Sequence, residues 1–201
     1  HTVKVAVQSE VFHRIVVSTD CETIQAVSAQ AGAAVPFLRD PDLASDSALA
    51  MNVVSDGLEK AETYFSESYD VVCMLQPTTP LRSIDDCRNV ANILQTQAST
   101  DSGISVVEAS QHPYKLVRKG RGGELQPFLD WPVENPPRQT LPLFYSYNGA
   151  FYATRTDVFK EKQSFRGNNC TLYEMPADRS VNIDSQFDFE IAELLLSKRR
   201  P

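Results

Sequence analysis

The segment richest in potential chemistry is Gln76-Pro77-Thr78-Thr79-Pro80-Leu81-Arg82. Two prolines stiffen the backbone by fixing φ, while Gln76, Thr78, Thr79 and Arg82 present polar groups. A rigid, donor-rich turn suits a polyhydroxy or anionic ligand. The same residues also read as a prolyl connection with an internally satisfied arginine. Three more basic residues, Arg39, Lys115 and Arg138, fall near loops. Together they could clamp carboxylate or phosphate oxygens; taken singly, each reads as a solvated surface charge. Asn182-Ile183-Asp184 precedes the last helical pattern. A carboxylate there suits Mg²⁺, which takes few protein ligands beside phosphate oxygens. Alternatively, Asp184 or Ser185 simply caps the helix.

Other features carry less. Cys21, Cys73, Cys87 and Cys170 form no C-x-x-C pair and fit neither a zinc site nor a disulfide scaffold. They are expected to be reduced thiols of a cytoplasmic protein. His13 and His112 have no companion ligand at metal spacing. Gly120-Arg121-Gly122-Gly123 lacks phosphate-loop spacing and reads as a hairpin turn. Asn169-Cys170-Thr171 matches a glycosylation sequon with nothing to indicate secretion.

The elements that must position these groups follow from periodicity. Thr2–Ser9 is expected to be helix, and Arg14–Ser18 a buried strand. Asp20 is expected to cap a helix over Thr23–Ala31, ended by Gly32. Ala34–Leu38 reads as an edge strand, because Pro36 cannot donate to a ladder. A long helix opens at Ser45-Asp46-Ser47 and runs to about Phe65. Asp70–Leu75 is the clearest buried strand. Ser83 and Asp86 form a capping box for a helix reaching about Gln95. Gly103–Glu108 is the next strand.

Alternating helices and strands predict an α/β fold with a mostly parallel sheet. Five of the 12 prolines lie between Gln126 and Pro142, so that stretch cannot be regular. Residues 112–147 therefore read as an inserted loop and strand subregion within a single domain spanning 1–201. Tyr114–Lys119, Phe144–Thr154 and Thr171–Met175 look like strands, and Asp188–Leu196 like an amphipathic helix.

The chain has 201 residues, 19 basic and 26 acidic, for a net charge of −7. That balance argues against a general nucleic-acid binder. No run of about 18 apolar residues suggests a membrane span.

Five pieces of the chain, in order, resemble the acylneuraminate cytidylyltransferases. They are Arg14-Ile-Val-Val-Ser-Thr-Asp20, Val35-Pro-Phe-Leu-Arg-Asp-Pro-Asp-Leu-Ala-Ser-Asp46, Leu75-Gln-Pro-Thr-Thr-Pro-Leu-Arg82, Asn148-Gly-Ala-Phe-Tyr152 and Ser180-Val-Asn-Ile-Asp184. The resemblance implies a Rossmann-like nucleotidyltransferase fold and a homodimer formed through the proline-rich middle. It also implies Mg²⁺-dependent transfer of CMP from CTP to a nine-carbon, 2-keto-3-deoxy sugar acid.

By motif, Arg39 would contact the nucleotide, with Asp46, Ser47 and Ala48 near cytosine. Gln76, Thr78, Thr79, Arg82, Asn148, Tyr152 and Phe165 would line the sugar site. Lys115 and Arg138 would neutralise the sugar acid and phosphates. Asp184, with Asn182 as a weaker partner, would ligate the metal.

Three departures stand out. The family's basic, glycine-containing phosphate loop and first strand have no counterpart in this sequence. Asn182 stands where members often carry Asp, removing one negative charge from the metal site. Ser146 stands where some members carry Arg, which suggests a different sugar acid, such as a legionaminic- or pseudaminic-type one. The same chemistry on 3-deoxy-octulosonate, an inactive nucleotide or sugar-acid binding protein, and an α/β fold with another ligand are the alternatives.

Overall fold

A computed structural model describes residues 1–45, 47–130 and 136–198. The predicted Asp46 and Pro132 lie outside these residues. Helices α1 (Thr2–Ser9), α2 (Glu22–Gln30), α3 (Ala50–Phe65), α4 (Ile84–Thr96), α5 (Thr156–Lys162) and α6 (Gln186–Lys198) surround the strands. The strands are β1 (Val71–Met74), β2 (Ser102–Glu108), β3 (Val117–Lys119), β4 (Leu125–Pro127), β5 (Tyr145–Arg155) and β6 (Cys170–Glu174).

The main sheet has the order β1-β5-β2-β6. Strand β5 is antiparallel to both β1 and β2, while β2 and β6 are parallel. Thus β1, β2 and β6 run the same way and their carboxyl ends share one edge. The sheet is mixed because β5, arriving after the long insertion, slots between β1 and β2 in the opposite direction.

The expected strands Arg14–Ser18 and Ala34–Leu38 shrink to a single parallel bridge, Val16 to Ala34. Two hydrogen bonds hold it, Val17 N–H to the Ala34 carbonyl and Ala34 N–H to the Ile15 carbonyl. Pro36 then stops the ladder for want of an N–H. The N-cap of α2 is Cys21, one residue later than the expected Asp20, and no side chain caps the helix; Thr19 Oγ1 instead accepts from Cys21 N–H at 3.1 Å in the turn that leads in. Helix α3 begins only at Ala50, after a 3-10 turn over Pro41–Leu43.

Helix α4 shows the expected capping box. Ser83 Oγ accepts from Asp86 N–H, and Asp86 Oδ2 accepts from Ser83 N–H. Cys87, Val90 and Leu94 recur at spacings of three and four, so one stripe faces the sheet. That stripe is fully buried against Phe151 and Ala153 of β5. On the opposite face, Leu58 of α3, Val72 of β1, and Phe159 and Phe165 form a second cluster.

In the insertion, β3 and β4 form a hairpin with Val117 opposite Pro127 and Lys119 opposite Leu125. Its turn is closed by Gly123 N–H bonding to the Gly120 carbonyl, as the sequence suggested. Leu116, Val117, Leu125, Phe128, Leu129 and Leu143 are exposed around it.

Candidate active site

The shared carboxyl edge of β1, β2 and β6 carries three connections. They are the Gln76–Arg82 turn, the Ala109–Lys115 stretch and the Met175–Asp184 stretch. In open α/β sheets this is the edge where ligands bind.

A bulge in β5 makes the turn and the last stretch meet. Between Ile104 and Val106, the partner on β5 jumps from Tyr152 to Tyr147. The extra residues, Asn148–Phe151, are held by Ser105. Its Oγ donates to Asn148 Oδ1 (2.6 Å) and accepts from Phe151 N–H (2.7 Å). The bulge places Gly149, at φ +72°, against the turn. A Cβ there would lie 2.3 Å from Gln76 Oε1, 3.0 Å from Thr79 Oγ1 and 3.5 Å from Asn182 Oδ1. Only glycine tolerates both that φ and that approach.

Thr79 ties the layers together. Its buried Oγ1 donates to the Asn148 carbonyl at 2.7 Å and lies 3.4 Å from Asn182 Oδ1. Ile183 N–H bonds to the Thr78 carbonyl at 2.8 Å. Gln76, Thr78, Thr79, Asn182 and Asp184 therefore form one cluster, as their sequence motifs foretold.

Asp184 is exposed, and its Oδ2 accepts from Asn182 Nδ2 at 2.8 Å. Helix α6 is capped by Ser185 instead: Asp188 N–H bonds to Ser185 Oγ, and Ser185 Oγ donates to the Asp188 carboxylate. Ser185 Oγ and the backbone N–H groups of Asp184 and Ser185 hold the Asp188 carboxyl below its ordinary value. The cap reading for Asp184 therefore fails.

Several expected ligand contacts sit deeper than the sequence suggested. Arg82 is 2% exposed; it donates to Thr2 Oγ1 at 2.6 Å and to the Gln76 carbonyl. Burial lowers its pKa to about 10. It braces the turn from below and does not line an open surface. Asn148 is also 2% exposed, and its Nδ2 donates to Ser180 Oγ at 3.0 Å. Its side-chain oxygen is taken by Ser105 and Ala150 N–H. Phe165, 3% exposed, packs 5.1 Å from Phe159 and 5.9 Å from Tyr152. Tyr152 is half-buried beside Met74, the last residue of β1, and burial raises its pKa.

The basic residues stand apart from the cluster. Arg39 donates from Nε to Ser18 Oγ at 3.1 Å and also bonds the Ser18 carbonyl, at the end of the Val16–Ala34 bridge. Ser47 and Ala48 lie in the connection before α3, where Ala48 N–H bonds the Ser45 carbonyl. Lys115 is exposed at the end of a 3-10 turn, Pro113–Lys115. Arg138 pairs with Glu108 at the end of β2, 3.0 Å away.

Asp86 and Arg179 are site-supporting residues that the sequence reading did not single out as a pair. Arg179 donates to Asp86 from both Nε and Nη2 at 3.0 Å, just before the Ser180–Asp184 segment. Only the capping-box position of Asp86 was visible in the sequence. Gly149 and Ser105 were missed similarly; the Asn-Gly dipeptide inside a strand pattern was the available signal for a bulge.

A cavity of about 390 Å³ lies against β5, β2 and β6. Ile104, Val106, Tyr145, Tyr147, Arg166 and Leu172 line it. The thiols of Cys73 and Cys87 are pushed up by burial, to about 12 and about 11. Neither suits a nucleophile, which needs accessible thiolate.

A mixed sheet wrapped by helices, with a polar cluster at the strands' carboxyl edge, defines a Rossmann-like α/β fold with a candidate ligand site at that edge. Comparison with known proteins narrows the class. The family model for cytidylyltransferases matches residues 1–119. A post-translational flagellin modification protein B from Campylobacter coli is 31% identical over 96% of this chain and 81% of its own length. A CMP-N,N'-diacetyllegionaminic acid synthase from Legionella pneumophila is 30% identical over 98% of this chain and 83% of its own. A solved CMP:2-keto-3-deoxy-manno-octonic acid synthetase complexed with CTP shares the fold. Its TM-score is 0.67 at 14% identity, covering 100% of this chain and 87% of that one. The chain belongs to the cytidylyltransferase family.

Proposed function

We propose that this protein transfers CMP from CTP to the anomeric hydroxyl of a sialic-acid-type 2-keto-3-deoxy sugar acid. The hydroxyl oxygen forms a bond to the α-phosphorus, the bond from that phosphorus to the α–β bridging oxygen breaks, and pyrophosphate leaves. The hydroxyl proton passes to solvent. The observation carrying this reading is the convergence of Gln76, Thr79 and Asn182 around Gly149 at the carboxyl edge, with Asp184 bonded to Asn182. The relatives named for legionaminic acid support the choice of acid.

In such a transfer the protein mostly positions the reactants and neutralises charge. Gln76, held by Arg82 and Gly149, offers an amide to the sugar. Lys115 and Arg138 offer cations to carboxylate and phosphate oxygens. Arg39 faces the nucleotide side. Tyr145, Tyr147 and Arg166, around the 390 Å³ cavity, offer hydroxyls and a guanidinium to a polyhydroxy acid.

Among the described residues, no group of three acidic, histidine or cysteine side chains could hold a metal. Asp184 is nevertheless exposed and spared from capping. One carboxylate fits a Mg²⁺ ion that draws its other ligands from phosphates and water. When bound there by Asp184 and Asn182, such an ion would offset the charge of the triphosphate.

Asp184→Ala is expected to cut turnover about 10²–10³-fold, the range seen when one charge-stabilising group is lost. Asn182→Asp is expected to lower the Mg²⁺ concentration needed for half-maximal rate. It replaces the amide that bonds Asp184 with a second carboxylate, a pairing that a cation relieves. Rates measured across a Mg²⁺ titration check both.

We further propose a homodimer through residues 112–147, because the apolar side chains around the hairpin are exposed. Sedimentation velocity should give twice the subunit mass. The cytoplasm is the proposed location; no described helix is long and apolar enough to cross a membrane.

The function itself is tested by pyrophosphate release from CTP and Mg²⁺. N-acetylneuraminate, N,N'-diacetyllegionaminate, pseudaminate and octulosonate are supplied in turn. Release with a nine-carbon acid supports the proposal. Release with octulosonate alone, or with none while CTP still binds, overturns it.

A further inference from the structure

His112 was set aside in the sequence because it has no metal-ligand companion. Its surroundings show another use. The Nε2 atom lies 3.0 Å from the Pro142 carbonyl, which only accepts, so Nε2 carries the hydrogen. Nδ1 is then bare and accepts from Tyr114 N–H at 3.2 Å. One neutral tautomer satisfies both contacts, each nitrogen fixing the role of the other.

The backbone adds to this hold. The His112 carbonyl accepts from Lys115 N–H at 2.8 Å, so His112 caps the turn that ends in Lys115. The imidazole stacks on Tyr114 (5.2 Å, 29°) and meets Phe144 edge-on (4.9 Å, 85°). Ala109 N–H bonds the Phe144 carbonyl at 2.8 Å. The ring thus joins the Lys115 turn to the segment that leads into β5 and its bulge.

We infer that His112 is a positioning residue for sugar-acid binding, fixing the Lys115 turn against the Pro142–Phe144 segment. Lys115 is an exposed, flexible ammonium, and a turn free to drift would place it poorly. The inference rests on the reading of Lys115 as a substrate-binding cation.

The test compares His112→Ala, His112→Asn, Lys115→Met and the Ala/Met double variant, using whichever nine-carbon acid turns over. His112→Ala is expected to raise the sugar-acid KM about tenfold, a modest misplacement cost. The KM for CTP and the melting temperature should stay close to the parent's. His112→Asn keeps an acceptor for Tyr114 N–H and should recover part of the loss. The double variant should be no worse than Lys115→Met, because His112 acts through Lys115.

A sugar-acid KM unchanged in His112→Ala, with Lys115→Met impaired, overturns the positioning role alone. Additive losses, or a fall in melting temperature with both KM values raised, show a merely structural histidine and also overturn it. Lys115→Met with no effect on an active enzyme overturns the reading of Lys115 itself, and with it the role of His112.

Discussion

Gly149→Ala is expected to leave a folded protein with little activity. The new Cβ would sit 2.3 Å from Gln76 Oε1 and 3.0 Å from Thr79 Oγ1. A φ of +72° adds a backbone penalty of about 1–2 kcal/mol for a residue with a side chain. The Gln76 amide is the far end of a flexible side chain, so it will swing aside. The fold then survives, and the cost falls on geometry. Displacing a substrate-positioning group by about 1 Å costs about 10²-fold in rate. Turnover should fall by that order, while the melting temperature drops only about 2–8 °C. Adding Gln76→Ala removes the Gln76 contact but neither the φ penalty nor the close approach to Thr79, so the double variant should recover neither the lost stability nor the activity. A Gly149→Ala enzyme with parental kinetics would show that the bulge does not shape the site.

Asp86→Ala is the largest expected loss of stability. Asp86 is 1% exposed and serves two partners, Arg179 and Tyr173, beyond its own helix cap. Arg179 binds it bidentately, Tyr173 Oη donates to it at 3.0 Å, and Ser83 donates from N–H and Oγ. Removing one partner of a buried ion pair costs about 3–5 kcal/mol. Arg179 is partly exposed, which puts the loss near the lower end. A cost of about 3 kcal/mol lowers the melting temperature about 6–12 °C for a chain of this size. Activity should fall as well, because Arg179 immediately precedes the Ser180–Asp184 segment.

The same carboxylate gives a pH dependence. Burial pushes the Asp86 carboxyl up, but the Arg179, Ser83 and Tyr173 donors outweigh it and hold it below 3.8. A depressed carboxylate stabilises the fold fully above the unfolded value and loses that contribution as pH falls through the folded one. Wild-type stability should therefore drop below about pH 4. Asp86→Asn should flatten that part of the profile. Thermal melts between pH 2 and pH 6 check both variants.

Much of the architecture was legible because its causes are local. The capping box at Ser83 and Asp86, the apolar stripe of α4, the β1 run and the glycine turn of the hairpin all follow from residues within a few positions of each other. The clustering of the Gln76 turn with Asn182 and Asp184 was also legible, though through resemblance and the strand-edge rule. The two N-terminal strands that propensity predicts reduce to one bridge. Their β-branched residues have the right propensity, yet only Val16 and Ala34 find a pairing partner.

What only the tertiary structure decided depends on contacts between distant residues. Sequence alone showed Arg82 as a polar group in a rigid turn; the fold buries it under Gln76, against Thr2. Phe165 read as a sugar-pocket ring, but two aromatic neighbours, Tyr152 and Phe159, and the cluster with Leu58 draw it into the core. The β5 bulge exists because Ser105, far away in sequence, supplies the hydrogen bonds that the ladder loses there. A buried polar group must find a partner. Which partner it finds is set by how the strands stack, and residue spacing along the chain carries no record of that.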